Sequence, residues 1–166
     1  MEKGDMSLKQ LKKRLPDIRQ WAEDRNLIAG STTAAQFVKL VEEAGEMLLA
    51  HENDDPDGVK DGAGDVIVVL TILAAQIGAN LEDHIKFHDG DGYIYGEVPM
   101  FGKLASAIAR KQHDAAIEHI CEIAGCAMDY AWEHGFDITD CVEHAWAEIK
   151  DRKGKMIDGV FVKDGD

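Results

Sequence analysis

Apolar residues recur at three- and four-residue spacing along almost the whole chain, the mark of amphipathic helices. Leu8, Leu11, Leu15, Ile18 and Trp21 outline a first helix from about Ser7 to Arg25, and Pro16 is expected to kink or divide it. Asn26 to Gly30 closes that helix, and Ser31, Thr32 or Thr33 caps a second running to about His51. Its apolar face carries Phe37, Leu40, Val41, Ala44, Met47 and Leu48. Glu52-Asn53-Asp54-Asp55-Pro56 breaks the pattern, and Pro56 suits the opening turn of a third helix. That helix continues to about Gln76 and from Val66 to Ala75 is apolar on every side, as a central buried helix would be. Gly78-Ala79-Asn80 ends it. A short helix from Leu81 to His88 follows, then a loop or small hairpin from His88 to Pro99. Helices return at about Phe101–Lys111, Asp114–His134 and Ile138–Lys150, and the strand-like Val160-Phe161-Val162 predicts an extended arm.

A shift of 57 residues lays Asp57 on Asp114, Asp61 on Glu118, Asp65 on Glu122, Gly78 on Gly135 and Asp83 on Asp140. Lys39-Leu40 resembles Lys103-Leu104 only if the second copy has a shorter loop, and Glu42, Glu43 and Glu46 then oppose Ser106, Ala107 and Arg110. The expected fold is all-α: a helical bundle of two degenerate helical hairpins, with a short extended C-terminal arm. One domain spans 1–166, residues 31–88 forming the first half and 99–150 the second.

Composition narrows the partners. Hydrophobic residues are 45% of the 166, enough for a core, while 7% aromatics and three prolines argue against a β-sandwich. The apolar run from Val66 to Ile77 is too short to span a bilayer, and Met1-Glu2-Lys3-Gly4-Asp5 lacks the apolar segment of a secretory signal. A cytoplasmic protein with no membrane partner is expected. Cys121, Cys126 and Cys141 are an odd number with no CxxC, which disfavours disulfides and zinc. Asp and Glu number 32 against 18 Lys and Arg, and the resulting charge of −14 repels duplex nucleic acid.

The acidic residues are not evenly spread. Glu42, Glu43 and Glu46 share one side of the second helix, opposite its apolar face; alone, such a group is ordinarily a solvated surface. Asp61 and Asp65 are i,i+4 on the third helix, and their stripe continues into Val68 and Ile72. Five carboxylates converging in a hairpin require protonation or a cation, and all-oxygen ligation suits Mg²⁺, with Mn²⁺ a possible substitute. Gly62 and Gly64 each weaken a helix by roughly 1 kcal/mol relative to Ala. They make sense where another helix or a ligand approaches the backbone. Lys150, Arg152, Lys153 and Lys155 are the densest basic cluster, suited either to phosphate oxygens or to the dipole of a helix C-terminus.

These residues resemble a family. Lys39-Leu40-Val41-Glu42-Glu43-Ala44-Gly45-Glu46 looks like the EExxE element of the MazG-like, all-α nucleoside triphosphate pyrophosphohydrolases, and Lys60-Asp61-Gly62-Ala63-Gly64-Asp65-Val66 resembles their second acidic element. Trp21 to Ile28 and Gln36 upstream, and Ala145 to Lys155 downstream, extend the likeness over most of the chain, closest to the phage and prophage branch. The usual second element is ExxD, whereas Gly62 stands at the Glu position and Asp61 one residue earlier. Ala147 stands where relatives often carry a substrate-contacting Asn.

The resemblance implies Mg²⁺-dependent cleavage of a nucleoside triphosphate between the α- and β-phosphates, giving a monophosphate and pyrophosphate. It implies Glu42, Glu43, Glu46, Asp61 and Asp65 as metal ligands, with Glu43 orienting the water. Gln36, Lys39, Lys150, Arg152, Lys153 and Lys155 would contact substrate. A homodimer or higher homo-oligomer is expected, in host cytoplasm if the chain is phage-encoded. The alternatives are a dUTPase-type or phosphoribosyl-ATP-type pyrophosphohydrolase, or a non-catalytic nucleotide- or metal-binding protein on the same fold.

Other acidic runs carry less. Asn53-Asp54-Asp55-Pro56-Asp57-Gly58 imitates an EF-hand but has Asn53 first and Gly64 twelfth, where a bidentate Glu is needed. Asp89-Gly90-Asp91-Gly92 has Ile94 at the glycine position. His113, His119, His134 and His144 read as helix-surface or partly buried residues, and Trp132 and Trp146 as core.

Overall fold

The computed structural model describes residues 3–87 and 97–165. In chain order these form α1 (Lys3–Asp24), α2 (Thr33–Glu52), α3 (Pro56–Gln76), α4 (Leu81–His84), α5 (Glu97–Ala109), α6 (His113–Glu133) and α7 (Ile138–Ile149), then β1 (Gly154–Ile157) and β2 (Val160–Lys163). The protein is an all-α helical bundle, with one small β-hairpin among the described residues. Among the described residues no helix is long and apolar enough to cross a membrane.

The start of α2 is set by Thr32, whose side chain accepts from the Ala35 amide. Asp55 does the same for the Gly58 amide, with Pro56 in the first turn of α3. The EF-hand look-alike is therefore a helix cap. From Val66 to Ala74 every residue of α3 is buried, packed by α1, α2, α4, α6 and α7. α1 lies across α3 and α7, where Arg14 grips Glu143 with two bonds of 2.8 and 3.1 Å. Arg19 holds Glu82 of α4 at 2.6 Å.

The second hairpin keeps the register of the first. α3 and α6 are each 21 residues long and begin and end 57 residues apart, and α2 and α5 end at the same offset. The left-handed residues follow suit: Asp54 (φ 51°) with Lys111 (φ 55°), and Gly78 (φ 80°) with Gly135 (φ 83°). This corrects the expected shorter loop. An unbroken offset sets Pro99, Met100 and Lys103, not Ser106, Ala107 and Arg110, opposite Glu42, Glu43 and Glu46.

Other expectations also change. α1 runs through Pro16 undivided, because Leu11 and Leu15 before it and Ile18 and Ala22 after it are fully buried, and that burial outweighs one lost hydrogen bond. α4 stops at His84, four residues early, and α5 begins at Glu97. Most of the loop expected from His88 to Pro99, with Asp89-Gly90-Asp91-Gly92, lies outside the described residues. The C-terminal arm is a β-hairpin closed by Asp158 (φ 50°) and Gly159 (φ 81°), with Lys155 opposite Val162. Its Phe161 meets Trp21 at 6.5 Å. Trp146 is half-buried under the Arg14 guanidinium, but Trp132 is 55% exposed and is not core. It sits near the outer end of α6, next to the chain reversal at Gly135.

Candidate functional site

α3 is flanked by α2 and α7, and two glycines set how closely. A Cβ on Gly62 would lie 2.7 Å from the Met47 Cβ of α2. One on Gly64 would overlap the Cys141 carbonyl oxygen of α7 and meet the Ala145 Cβ at 3.0 Å. Positions 62 and 64 thus face opposite neighbours. At about 100° per residue, Asp61 and Asp65 fall on the stripe between them, along the seam where three helices meet.

Asp65 is the electrostatic centre of that seam. Burial pushes its carboxyl up from 3.8 to about 7, and the charges of Glu43, Asp61 and Glu148 push it in the same direction, with Lys39 opposing. Glu43 is buried and bound by the Lys39 ammonium at 2.6 Å; Lys39 also reaches Glu42 at 3.2 Å. Burial alone would lower the Lys39 pKa, but the two glutamates outweigh it and raise it. The expectation that Glu42, Glu43 and Glu46 all lie opposite the apolar face is therefore corrected. Glu43 sits at the edge of the buried face beside Gln36, Leu40 and Met47, whereas Glu42 and Glu46 are exposed. Gln36 is buried one turn into α2, its amide donating to the Ser31 hydroxyl at 3.2 Å.

Asp61 turns toward α7. Its Oδ1 lies 3.4 Å from His144 Nε2, which is 3.8 Å from Glu148 Oε1. The Asp61 side chain is about half exposed, yet Oδ1 itself is shielded from solvent and has no hydrogen-bond partner. That shielded, unsatisfied oxygen, in a donor set of carboxylates and one imidazole, fits a divalent cation. His144 and Glu148 were not among the residues expected from the sequence. The available signal was their i,i+4 spacing beside the buried Cys141, Ala145 and Ile149.

The basic tail follows directly on Glu148. Carbonyls at and just beyond the end of α7 are held from the C-terminal end of α1 and the residue after it: the Trp21 indole donates to Ile149 O at 2.8 Å, and the Arg25 guanidinium to Arg152 O at 2.7 Å and Lys150 O at 3.3 Å. Lys150, Lys153 and Lys155 are exposed and Arg152 is half-buried. In the second half the counterparts of Asp61 and Asp65 are surface residues: Glu118 is exposed, and Glu122 is exposed and bound to His119 at 2.8 Å.

Fold and site together define an all-α bundle whose first hairpin and last helix meet in an acidic seam beside a basic tail. A protein of Haemophilus phage HP1 (strain HP1c1), named as an uncharacterized 18.2 kDa protein in the rep-hol intergenic region, is similar to this chain. The two are 48% identical over 66 residues, which is 40% of this chain and 40% of the phage protein. No family model matches the chain, and no solved structure matches it.

Proposed function

We propose that the protein is a MazG-like nucleoside triphosphate pyrophosphohydrolase that cleaves between the α- and β-phosphates. The observation that carries this reading is the crowding of Glu43, Asp61 and Glu148 around a carboxyl, Asp65, pushed to about 7. Such an arrangement is costly without a cation and well suited to one. Glu42, Glu43, Glu46, Asp61 and Asp65 would hold Mg²⁺, with Mn²⁺ able to replace it. Bound there, the ion supplies charge against the triphosphate and a more acidic water. Glu43, held by Lys39, would orient that water. Lys150, Arg152, Lys153 and Lys155 attract the phosphate oxygens that the acidic surface would otherwise repel, and Gln36 lines the start of α2.

The reading predicts pyrophosphate release from mixed ribo- and deoxyribonucleoside triphosphates with Mg²⁺, none in excess EDTA, and none from Glu43→Ala. Lys150→Ala should raise KM or lower kcat roughly ten- to hundred-fold with an unchanged melting temperature, since a charge-assisted phosphate contact is worth about 1.5–3 kcal/mol. Full turnover in EDTA would end this proposal. A non-catalytic binding protein is the second reading, favoured by Gly62: Met47 closes that position, so a Glu there would not fit. It predicts nucleotide binding with no pyrophosphate release.

A second copy of the chain supplies a further wall in this reading. Val38, Val41 and Leu49 are 67%, 47% and 59% exposed on one strip of α2, with open space above Gly45 between them. The strip borders Glu42 on the helix surface. A homodimer burying it should sediment as a monomer after Val38→Asp with Leu49→Asp. A wild-type monomer at high concentration would remove the second copy from the proposal.

A further inference from the structure

We infer that Asp61, His144 and Glu148 form a cation subsite across α3 and α7, and that its imidazole makes it prefer Mn²⁺ to Mg²⁺. The inference deepens the reading of the seam as a metal-dependent site and rests on that reading only for what the ion does.

One potential ligand atom from each residue lies within 4.8 Å of the others. The separations from His144 Nε2, 3.4 Å to Asp61 and 3.8 Å to Glu148, approach the roughly 3 Å between neighbouring ligands of an ion bound at about 2.1 Å. Small rotations of half-exposed side chains close the difference. The backbone needs no movement, because α7 is already seated against α3 at Gly64. His144 and Glu148 are i,i+4, so α7 presents both from one side.

Position matters as much as distance. A carboxylate at 62 would meet Met47 on α2; moving it one residue back, to Asp61, swings it by about 100° toward α7. There it meets a nitrogen donor, and Asp61 Oδ1, shielded and without a hydrogen-bond partner, supplies a lone pair. Mg²⁺ takes oxygen ligands and keeps its waters, whereas imidazole suits transition ions. The competing view is that a protonated His144 merely pairs with two carboxylates.

Electron paramagnetic resonance of Mn²⁺ with the metal-free full-length protein, without nucleotide, separates the two. Loss of the free-ion signal counts bound Mn²⁺, and electron spin-echo modulation from a coordinated nitrogen reports His144 directly. His144→Gln should abolish the nitrogen modulation and weaken Mn²⁺ binding by about ten- to hundred-fold. Competing Mg²⁺ should change only a few-fold, and Glu148→Gln should also weaken Mn²⁺ while retaining the modulation. No nitrogen modulation in the wild type, or wild-type Mn²⁺ affinity retained in both variants with intact helical signal, would overturn the inference. Nitrogen-coordinated Mn²⁺ without any pyrophosphate release would leave this subsite standing and overturn the hydrolase reading. Turnover with Mn²⁺ that ignores His144 would do the reverse.

Discussion

Asp65→Asn is expected to make the metal-free protein more stable above pH 7 while removing hydrolysis and the stabilisation by Mg²⁺. The folded carboxyl titrates near 7 against 3.8 in its ordinary state, so the folded protein holds this proton more tightly than the unfolded chain does. Its contribution to stability is complete below about pH 4 and is lost as the pH rises through 7. Across that window the loss is at most about 4 kcal/mol at 1.36 kcal/mol per unit. Asparagine has no charge to bury, so the variant should melt about 5–10 °C above the wild type in EDTA at pH 8, with the gap closing near pH 4. Adding Mg²⁺ should raise the melting temperature of the wild type alone, increasingly with concentration. Parallel melting curves for the two proteins from pH 4 to 8 would refute the account of Asp65.

Gly64→Ala should be strongly destabilising for a single added methyl group. The new Cβ would collide with the Cys141 carbonyl oxygen and press on Ala145, and backbone cannot turn aside as a flexible side chain can. Overpacking of this kind costs about 1–3 kcal/mol and occasionally more; the upper end, roughly 3 kcal/mol, means a fall of about 6–12 °C. Pushing α7 outward also separates His144 and Glu148 from Asp61, so Mn²⁺ binding should weaken in the same variant. Gly102→Ala on α5, with open space around its Cβ, is the control and should gain up to about 1 kcal/mol. Equal melting temperatures for the two alanine variants would show that α3 and α7 are not in close contact at Gly64.

What was legible in the sequence is what local rules determine. Pro56 and Gly78 bracket α3 because each acts within a turn of its own position, and the all-round apolar run Val66 to Ala75 could belong only to a central helix. The acidic stripe of α3 was legible for the same reason. Glu43 was misplaced because a 100° step puts it on the border of the buried face, where the neighbouring helix decides whether it is covered. His144 and Glu148 reach Asp61 only through the docking of a helix more than eighty residues away, and no local pattern encodes that contact. The C-terminal hairpin was different. Asp158-Gly159 between Lys155-Met156-Ile157 and Val160-Phe161-Val162 is a local two-residue hairpin signal, of which the expected extended arm covers only the second strand.

The seam at α3 also fixes the order in which the site can be assembled. Asp61 and Asp65 belong to α3 and Glu148 to α7, so at roughly 5–20 residues per second a ribosome makes Glu148 about 4–17 s after Asp65. Through that interval the Gly64 flank of α3 lies bare, without the covering that α7 will give it. A nascent chain must therefore wait for α7 before it can hold an ion between α3 and α7.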